Sequence, residues 1–87
     1  MDLWQGIAYG DEQIRCLQGV LNLSPDTRVA ETGPGSPGQE TDMFGPATTN
    51  AVIRFQTKYN VDLKDGMVRK ATRDILNSIL GSFGPYP

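Results

Sequence analysis

Apolar residues recur at helical spacing in three separate segments of the chain. In the first segment, Ile14, Leu17 and Leu21 are three and four positions apart and fall on one face of a helix. The spacing predicts a helix from about Asp11 to Leu23. It is predicted to end at Ser24-Pro25, because the residue before a proline disfavours the helical conformation.

Two further helices are predicted downstream. The second begins at Pro46, since proline is well suited to the first helical position, and it stops near Asn60. The third runs from about Arg69 to Leu80 and is closed by Gly81. Their apolar stripes are Ala51, Val52, Phe55 and Tyr59 in the second helix, and Ala71, Ile75, Leu76, Ile79 and Leu80 in the third.

The second and third helical segments repeat each other at an offset of 24 residues. The matched pairs are Phe44 with Val68, Ala47 with Ala71, Thr48 with Thr72, Ala51 with Ile75, Val52 with Leu76, and Phe55 with Ile79. This is a duplicated turn–helix unit, and two copies are too few for a solenoid. Thr48 and Thr72 fall in the first turn of their helices, where local capping by the hydroxyl is the favoured interpretation.

A long segment, residues 24–44, connects the first two helices and is rich in glycine and proline at its centre. A connection of this length in a small domain is often functional. Residues 27–30 are predicted to be a short extended segment, with residues 39–42 opposite them in a two-stranded ribbon. The overall prediction is an all-α domain: a three-helix orthogonal bundle with this long loop between its first two helices.

Composition and charge exclude several function classes. The 87 residues include no histidine and one cysteine, so one chain provides neither a tetrahedral zinc site nor an imidazole base nor an internal disulfide. We therefore predict no metal, no cofactor and no catalytic residue. The net charge of −2 without a basic stripe argues against a nucleic-acid partner. No apolar run approaches the ~20 residues needed to cross a bilayer, and no secretory leader is visible.

The segment Phe44-Gly45-Pro46-Ala47-Thr48, followed by Ala51-Val52 and Phe55-Gln56, resembles the peptidoglycan-binding domain family. Leu17-Gln18 matches the family's first helix, and Asp65-Gly66-Met67-Val68 with Thr72 matches its final half-repeat. The resemblance covers roughly Asp11 to Leu80. Thr41-Asp42 stands where the family has Asp-Gly, and Arg69-Lys70 replaces the second Gly-Pro.

The resemblance implies a non-catalytic module that binds bacterial cell-wall peptidoglycan and targets an attached hydrolase or a particle to the wall. The family's cleft lies beside the loops that precede the second and third helices. The implied ligand-binding residues are Arg28, Glu31, Gln39, Asp42, Phe44, Gly45, Thr48 and Tyr59. Two of these have competing interpretations, since Phe44 is the more plausible as a core residue and Arg28 could instead pair with Glu31 or Asp26.

The chain is predicted to divide into three parts: residues 1–10, a binding domain at 11–80 and a tail at 81–87. The two end segments could pack on the core or contact a hydrolase domain or virion proteins. Their candidate contact residues are Trp4, Tyr9, Phe83 and Tyr86.

The alternative function is an attachment or adaptor protein of a phage particle. Such a protein would be made in the cytoplasm and carried on the virion, whereas a module of a larger exported protein would act at the cell wall or outside the cell.

Glu31 and Glu40 form a weak candidate acid–base pair, and we do not predict catalysis from them.

Overall fold

A computed structural model describes residues 3–7, 11–61 and 63–80 of the chain. It contains three helices: α1 (Asp11–Leu21), α2 (Pro46–Lys58) and α3 (Lys70–Leu80). The all-α prediction of three helices is confirmed. Helix α1 ends two residues earlier than predicted. A tighter turn follows it, in which the backbone N–H of Leu23 donates to the Val20 carbonyl. The predicted closure of α3 at Gly81 lies outside the described residues.

Asn60 stops α2 as predicted. Its φ of 53° is left-handed, a conformation that asparagine tolerates better than most residues. The N–H of Asn60 donates to the Thr57 carbonyl and that of Val61 to the Gln56 carbonyl, which together make a Schellman motif. The motif turns the chain sharply, so that Val61 enters the protein interior and is 6% exposed.

The core is formed by the apolar faces of all three helices. Ile14, Leu17 and Leu21 of α1 are fully buried, as the spacing predicts, and Phe55 and Leu76 lie with them in one cluster. Removing such side chains from water is the main favourable contribution to folding, at about 25 cal/mol per Å² of apolar surface. The helices are therefore held by their buried stripes rather than by intrinsic helix propensity.

The 24-residue repeat is visible in the burial pattern. Phe44 and Val68 are both buried, and Val52 and Leu76 are both fully buried. The repeat fails at its last pair, because Phe55 is in the core whereas Ile79 is 39% exposed. Only the first part of each turn–helix unit is thus structurally equivalent.

Residues 24–45 form turns and bends, and the two-stranded ribbon predicted for residues 27–30 and 39–42 is wrong. Within the described residues, β-type pairing is limited to one antiparallel bridge between Leu3 and Val68, with N–O distances of 3.0 and 2.7 Å. The loop backbone instead bonds to its own turns and to side chains of α1 and the residue after it.

The N-terminal segment, residues 3–7, packs against the helices. Leu3 is fully buried and belongs to the main core cluster. The N–H of Gly6 donates to the Phe44 carbonyl at 2.9 Å. Since Leu3 pairs with Val68 and Gly6 with Phe44, this segment joins the same position of both repeats. Tyr9, Phe83 and Tyr86 lie outside the described residues.

Candidate clefts at the entry of helices α2 and α3

The long loop is anchored by Asn22, which lies just beyond α1 and is buried. Its amide nitrogen donates to the Gly35 carbonyl at 2.9 Å and to the Glu40 carboxylate at 2.8 Å. Its amide oxygen accepts the N–H of Val29 at 2.9 Å. A single side chain therefore ties together three points of residues 24–45, which we call the anchored loop.

Gly35 is required at the centre of the anchored loop for two reasons. Its φ of +90° is unfavourable for any residue with a side chain, and a Cβ atom there would lie 2.9 Å from Cγ1 of Val29. The N–H of Gly35 also donates to the Gln39 carbonyl at 2.8 Å, which closes the turn. The loop is thus built as a defined wall rather than an open connection.

Glu40 and Glu31 are not arranged as an acid–base pair. The hydrogen bond from Asn22 lowers the pKa of Glu40, against partial burial and with help from the Gly38 N–H. A general acid needs the opposite shift, so Glu40 stays an ionised carboxylate that holds the loop. Glu31 is 75% exposed and pairs with Arg28 at 3.2 Å.

Gln18 of α1, four residues before Asn22, joins the loop to the start of α2. Its amide nitrogen donates to the Thr48 hydroxyl at 3.0 Å and to the Met43 carbonyl at 3.0 Å, and its oxygen accepts the Thr41 N–H. Gln18 is 1% exposed; its bond to Thr48 is buried and the other two are partly buried, so the loss of all three is costly. The capping interpretation of Thr48 is wrong, because its hydroxyl accepts its bond from the side chain of Gln18, 30 residues away, rather than from a backbone N–H of its own first turn.

Gln56 repeats this arrangement at the start of α3. Its amide nitrogen donates to the Thr72 hydroxyl at 3.2 Å and to the Met67 carbonyl at 2.8 Å. Its oxygen accepts the N–H of Gly66 at 2.9 Å. The capping interpretation is therefore also replaced for Thr72. Helices α1 and α2 each send one buried glutamine into the first turn of the next helix, and this pairing shapes the surface at that turn.

A cleft with a volume of about 180 Å³ opens between the anchored loop and the start of α2, and we call it the first cleft. Its floor includes Gln18 and Thr48, and its walls are mainly apolar. None of the described residues that line it carries a charge. The lining residues are Gln18, Val29, Pro34, Gly35, Thr41, Met43, Gly45, Pro46, Ala47 and Thr48.

A second cleft of about 220 Å³ lies at the start of α3. It is lined by Val61, Leu63, Met67, Arg69, Ala71 and Thr72. Met67, Arg69, Ala71 and Thr72 occupy the positions that Met43, Gly45, Ala47 and Thr48 hold in the first cleft, at the same offset of 24 residues. The sequence repeat thus produces two related clefts that differ in charge.

The structure brings two of the predicted site residues, Gly45 and Thr48, into the first cleft. Phe44 is 4% exposed and belongs to the core. Its ring packs inside the protein, so the prediction of Phe44 as a ligand-binding residue is corrected. Asp42 forms an ion pair with Arg15 at 3.5 Å beside the cleft. Gln39 is exposed in the anchored loop and does not line the cleft.

Arg28 and Tyr59 lie away from the first cleft. Of the two partners considered for Arg28, the structure shows the pair with Glu31. The backbone carbonyl of Arg28 accepts a bond from the Arg54 side chain of α2 at 2.7 Å. Tyr59 follows the opposite end of α2, where its ring packs on Phe55 with centroids 4.7 Å apart. Arg28 and Tyr59 therefore do not share the lining of the first cleft with Gly45.

Sequence reasoning missed most of the first cleft, including Gln18, Thr41 and Met43. One signal was present. Leu17-Gln18 in α1 and Phe55-Gln56 in α2 are the same apolar–glutamine pair, and each precedes a Met and a Thr that are themselves spaced alike. A matched glutamine before each unit indicates a shared buried bond rather than two unrelated surface residues.

The described residues hold no group of three or more Cys, Asp or Glu side chains that could bind a metal ion. None of the helices in the described part of the chain has the length and hydrophobicity needed to cross a membrane.

Comparison with known families identifies the family to which this three-helix domain belongs. The model of a family described as "Putative peptidoglycan binding domain" matches residues 12–76, well over half of the chain. The chain belongs to this family. No curated protein and no solved structure gives a significant match.

Proposed function

We propose that this domain binds peptidoglycan without cleaving it, and that the first cleft receives part of the polymer. Family membership supports peptidoglycan as the partner. The observation that carries the site is the cleft between the anchored loop and α2, since buried bonds from Gln18 and Asn22 hold both of its walls in place. A wall held in advance loses little conformational entropy when it binds.

The size and lining of the first cleft suit a small neutral group. Its volume of about 180 Å³ is below the roughly 300–1,000 Å³ typical of sites for whole small molecules, so it would take one substituent rather than a disaccharide. Pro34, Pro46 and Ala47 offer apolar contact to a methyl group. An N-acetyl group of the glycan combines such a methyl with an amide, and it is the group we propose for this cleft.

Cosedimentation with insoluble peptidoglycan tests the proposal. The wild-type domain is expected in the pellet at low and moderate salt, with no soluble fragments released during the incubation. Ala47 is exposed and lines the first cleft. Ala47→Leu should reduce the pelleted fraction severalfold, because the larger leucine side chain would fill the cleft. Leucine is nearly as good a helix former as alanine, so α2 should be unaffected.

The matched control is Asn50→Leu, which places the same side chain on an exposed position of α2 outside both clefts. It should pellet like the wild type. Wild-type protein that stays in the supernatant would refute peptidoglycan binding. Equal pelleting of both variants and the wild type would instead remove the first cleft from the site.

The role of the module in a larger system is a further part of the proposal. It would concentrate an attached hydrolase, or a particle that carries it, at the cell wall. An adaptor role in a phage particle is the second candidate, and exposed apolar side chains such as Leu23, at 67% exposure, would serve protein contacts. An isolated domain that stays monomeric in sedimentation with candidate virion proteins would count against the adaptor.

A further inference from the structure

We propose that the second cleft binds the free carboxylate end of a peptide with small side chains, such as the stem peptide of peptidoglycan. This inference rests on the proposed function and assigns a different chemical group to each of the two clefts. The first cleft has neutral walls. The second has Arg69 in its lining, at the position that Gly45 occupies in the first.

One Nη atom of Arg69 has a strong hydrogen-bond partner and the other has a weak one. Its Nη1 pairs with the Asp65 carboxylate, which fixes the side chain. Its Nη2 lies 3.2 Å from the sulfur of Met67, another residue of the cleft lining. A thioether is a poor hydrogen-bond acceptor, so a ligand carboxylate that replaced this contact would gain a charge-assisted bond.

Among the described residues, the turn that leads into α3 carries two cationic side chains and one carboxylate. The Lys64 ammonium donates to the carbonyl of Val61 at 2.7 Å, which places a second positive charge beside the cleft lining. Asp65 is the carboxylate opposite them among the described residues of this turn. Partial burial acts to raise the pKa of Asp65, but the Met67 N–H and the Arg69 guanidinium outweigh it and lower the pKa. The ion pair therefore stays formed at neutral pH and positions Arg69.

The remaining lining sets the size and polarity of the ligand. Val61, Leu63 and Ala71 are apolar, and the volume of about 220 Å³ fits one or two small residues. An alanine methyl would contact these side chains while its carboxylate meets Arg69. A larger or bulky apolar side chain would not fit.

Binding of a soluble peptide tests this assignment independently of the insoluble polymer. The probe is N-acetyl-D-alanyl-D-alanine, compared with the same peptide carrying a C-terminal amide and with acetate alone. Methyl resonances of isotope-labelled methionine report on the two clefts separately, because Met67 lines the second and Met43 the first. We expect the acid peptide to shift the Met67 signal and leave Met43 unchanged, with both the amide and acetate at least tenfold weaker.

Matched variants separate the cleft from general charge. Arg69→Gln should weaken binding of the acid peptide about tenfold. Lys70→Gln removes the same charge one residue away, at a side chain 81% exposed and outside the cleft lining, and should change the affinity less than twofold. Ala71→Leu should block the second cleft, whereas Ala47→Leu should leave peptide binding intact.

Three results would overturn the assignment: equal binding of acid and amide, equal losses in Arg69→Gln and Lys70→Gln, or a shift of Met43 instead of Met67. Thermal unfolding of each variant checks that the fold is kept, and Arg69→Lys offers a second variant that retains the charge. Wild-type protein that pellets with peptidoglycan but ignores the peptide refutes this inference alone. Failure to pellet refutes the proposed function.

Discussion

The two turn–helix units share a buried framework but differ in the turn that leads into each helix. In the second unit, the Asp65 carboxylate accepts the N–H of Met67 at 3.0 Å. In the first, the Thr41 hydroxyl accepts the N–H of Met43 at 3.2 Å. These are equivalent positions in the repeat, so a hydroxyl replaces a carboxylate in the same turn-forming bond.

The next residue changes the path of the backbone. Gly66 has a φ of +80°, whereas Asp42 at the equivalent position is not among the residues with positive φ. Gln56 consequently accepts the N–H of Gly66, while Gln18 accepts the N–H of the residue one position earlier, Thr41. The comparison shows that the buried glutamine is retained while the turn above it changes, which is how one framework carries two different clefts.

The largest effect should come from removing either glutamine. Gln18→Leu and Gln56→Leu each leave a backbone carbonyl, a backbone N–H and a buried threonine hydroxyl without their glutamine partner, and we expect a loss of about 2–4 kcal/mol in the free energy of unfolding. Denaturant unfolding measures it. Gln13→Leu, at a half-buried position of α1, is the control and should stay within about 0.5 kcal/mol. A large loss in one unit and none in the other would contradict a shared framework.

A moderate effect should distinguish the two turns. Gly66→Ala places a Cβ atom 2.6 Å from Cγ2 of Thr49 and forces a side chain into a positive φ, so we expect a loss of about 2 kcal/mol. Asp42→Ala at the equivalent position meets no such strain and removes an exposed ion pair with Arg15, worth at most about 1 kcal/mol. Thermal or denaturant unfolding of both variants decides. Equal losses would mean that the two turns are not built differently.

The smallest effect concerns acid. The pKa of Glu40 is lowered in the folded protein, so the carboxylate stabilises the anchored loop above the pKa of the unfolded chain. This contribution is lost as the pH falls through the lowered pKa of the folded protein. Glu40→Gln should therefore be less stable than the wild type at pH 7, and the difference should shrink at pH 3.5.

Melting temperatures at the two pH values measure this contribution. Glu31→Gln is the matched control, because its carboxylate is 75% exposed and an exposed ion pair contributes little. A Glu40→Gln difference that is the same at both pH values would show that the carboxylate acts by shape alone.

The helices could be predicted because their signals are local. Pro46 begins α2, Asn60 stops it, and the apolar stripes give the buried faces directly. The roles of Thr48 and Thr72 could not be predicted in this way. Each threonine fits a local cap, and the competing bond comes from a glutamine 30 or 16 residues earlier in the chain.

Little of the first cleft could be predicted from the sequence. Gly45 and Thr48 line the first cleft because the motif places them in the first turn of α2. Tyr59 has a flat ring suited to a sugar, yet it follows the far end of a 13-residue helix, about 20 Å along the axis from the helix start. Residue type indicated what could bind a sugar, whereas distance along the helix axis decided which residues can act together.

The pairing of Leu3 with Val68 also bears on how the chain acquires its structure during synthesis. Leu3 is fully buried against residues that are made much later, and its backbone partner lies 65 positions further along. A nascent chain that has released α1 and α2 from the ribosome still lacks the backbone partner of Leu3. The bridge can therefore form only after residue 68 has left the ribosome, and a chain stalled before that residue would hold Leu3 without this pairing.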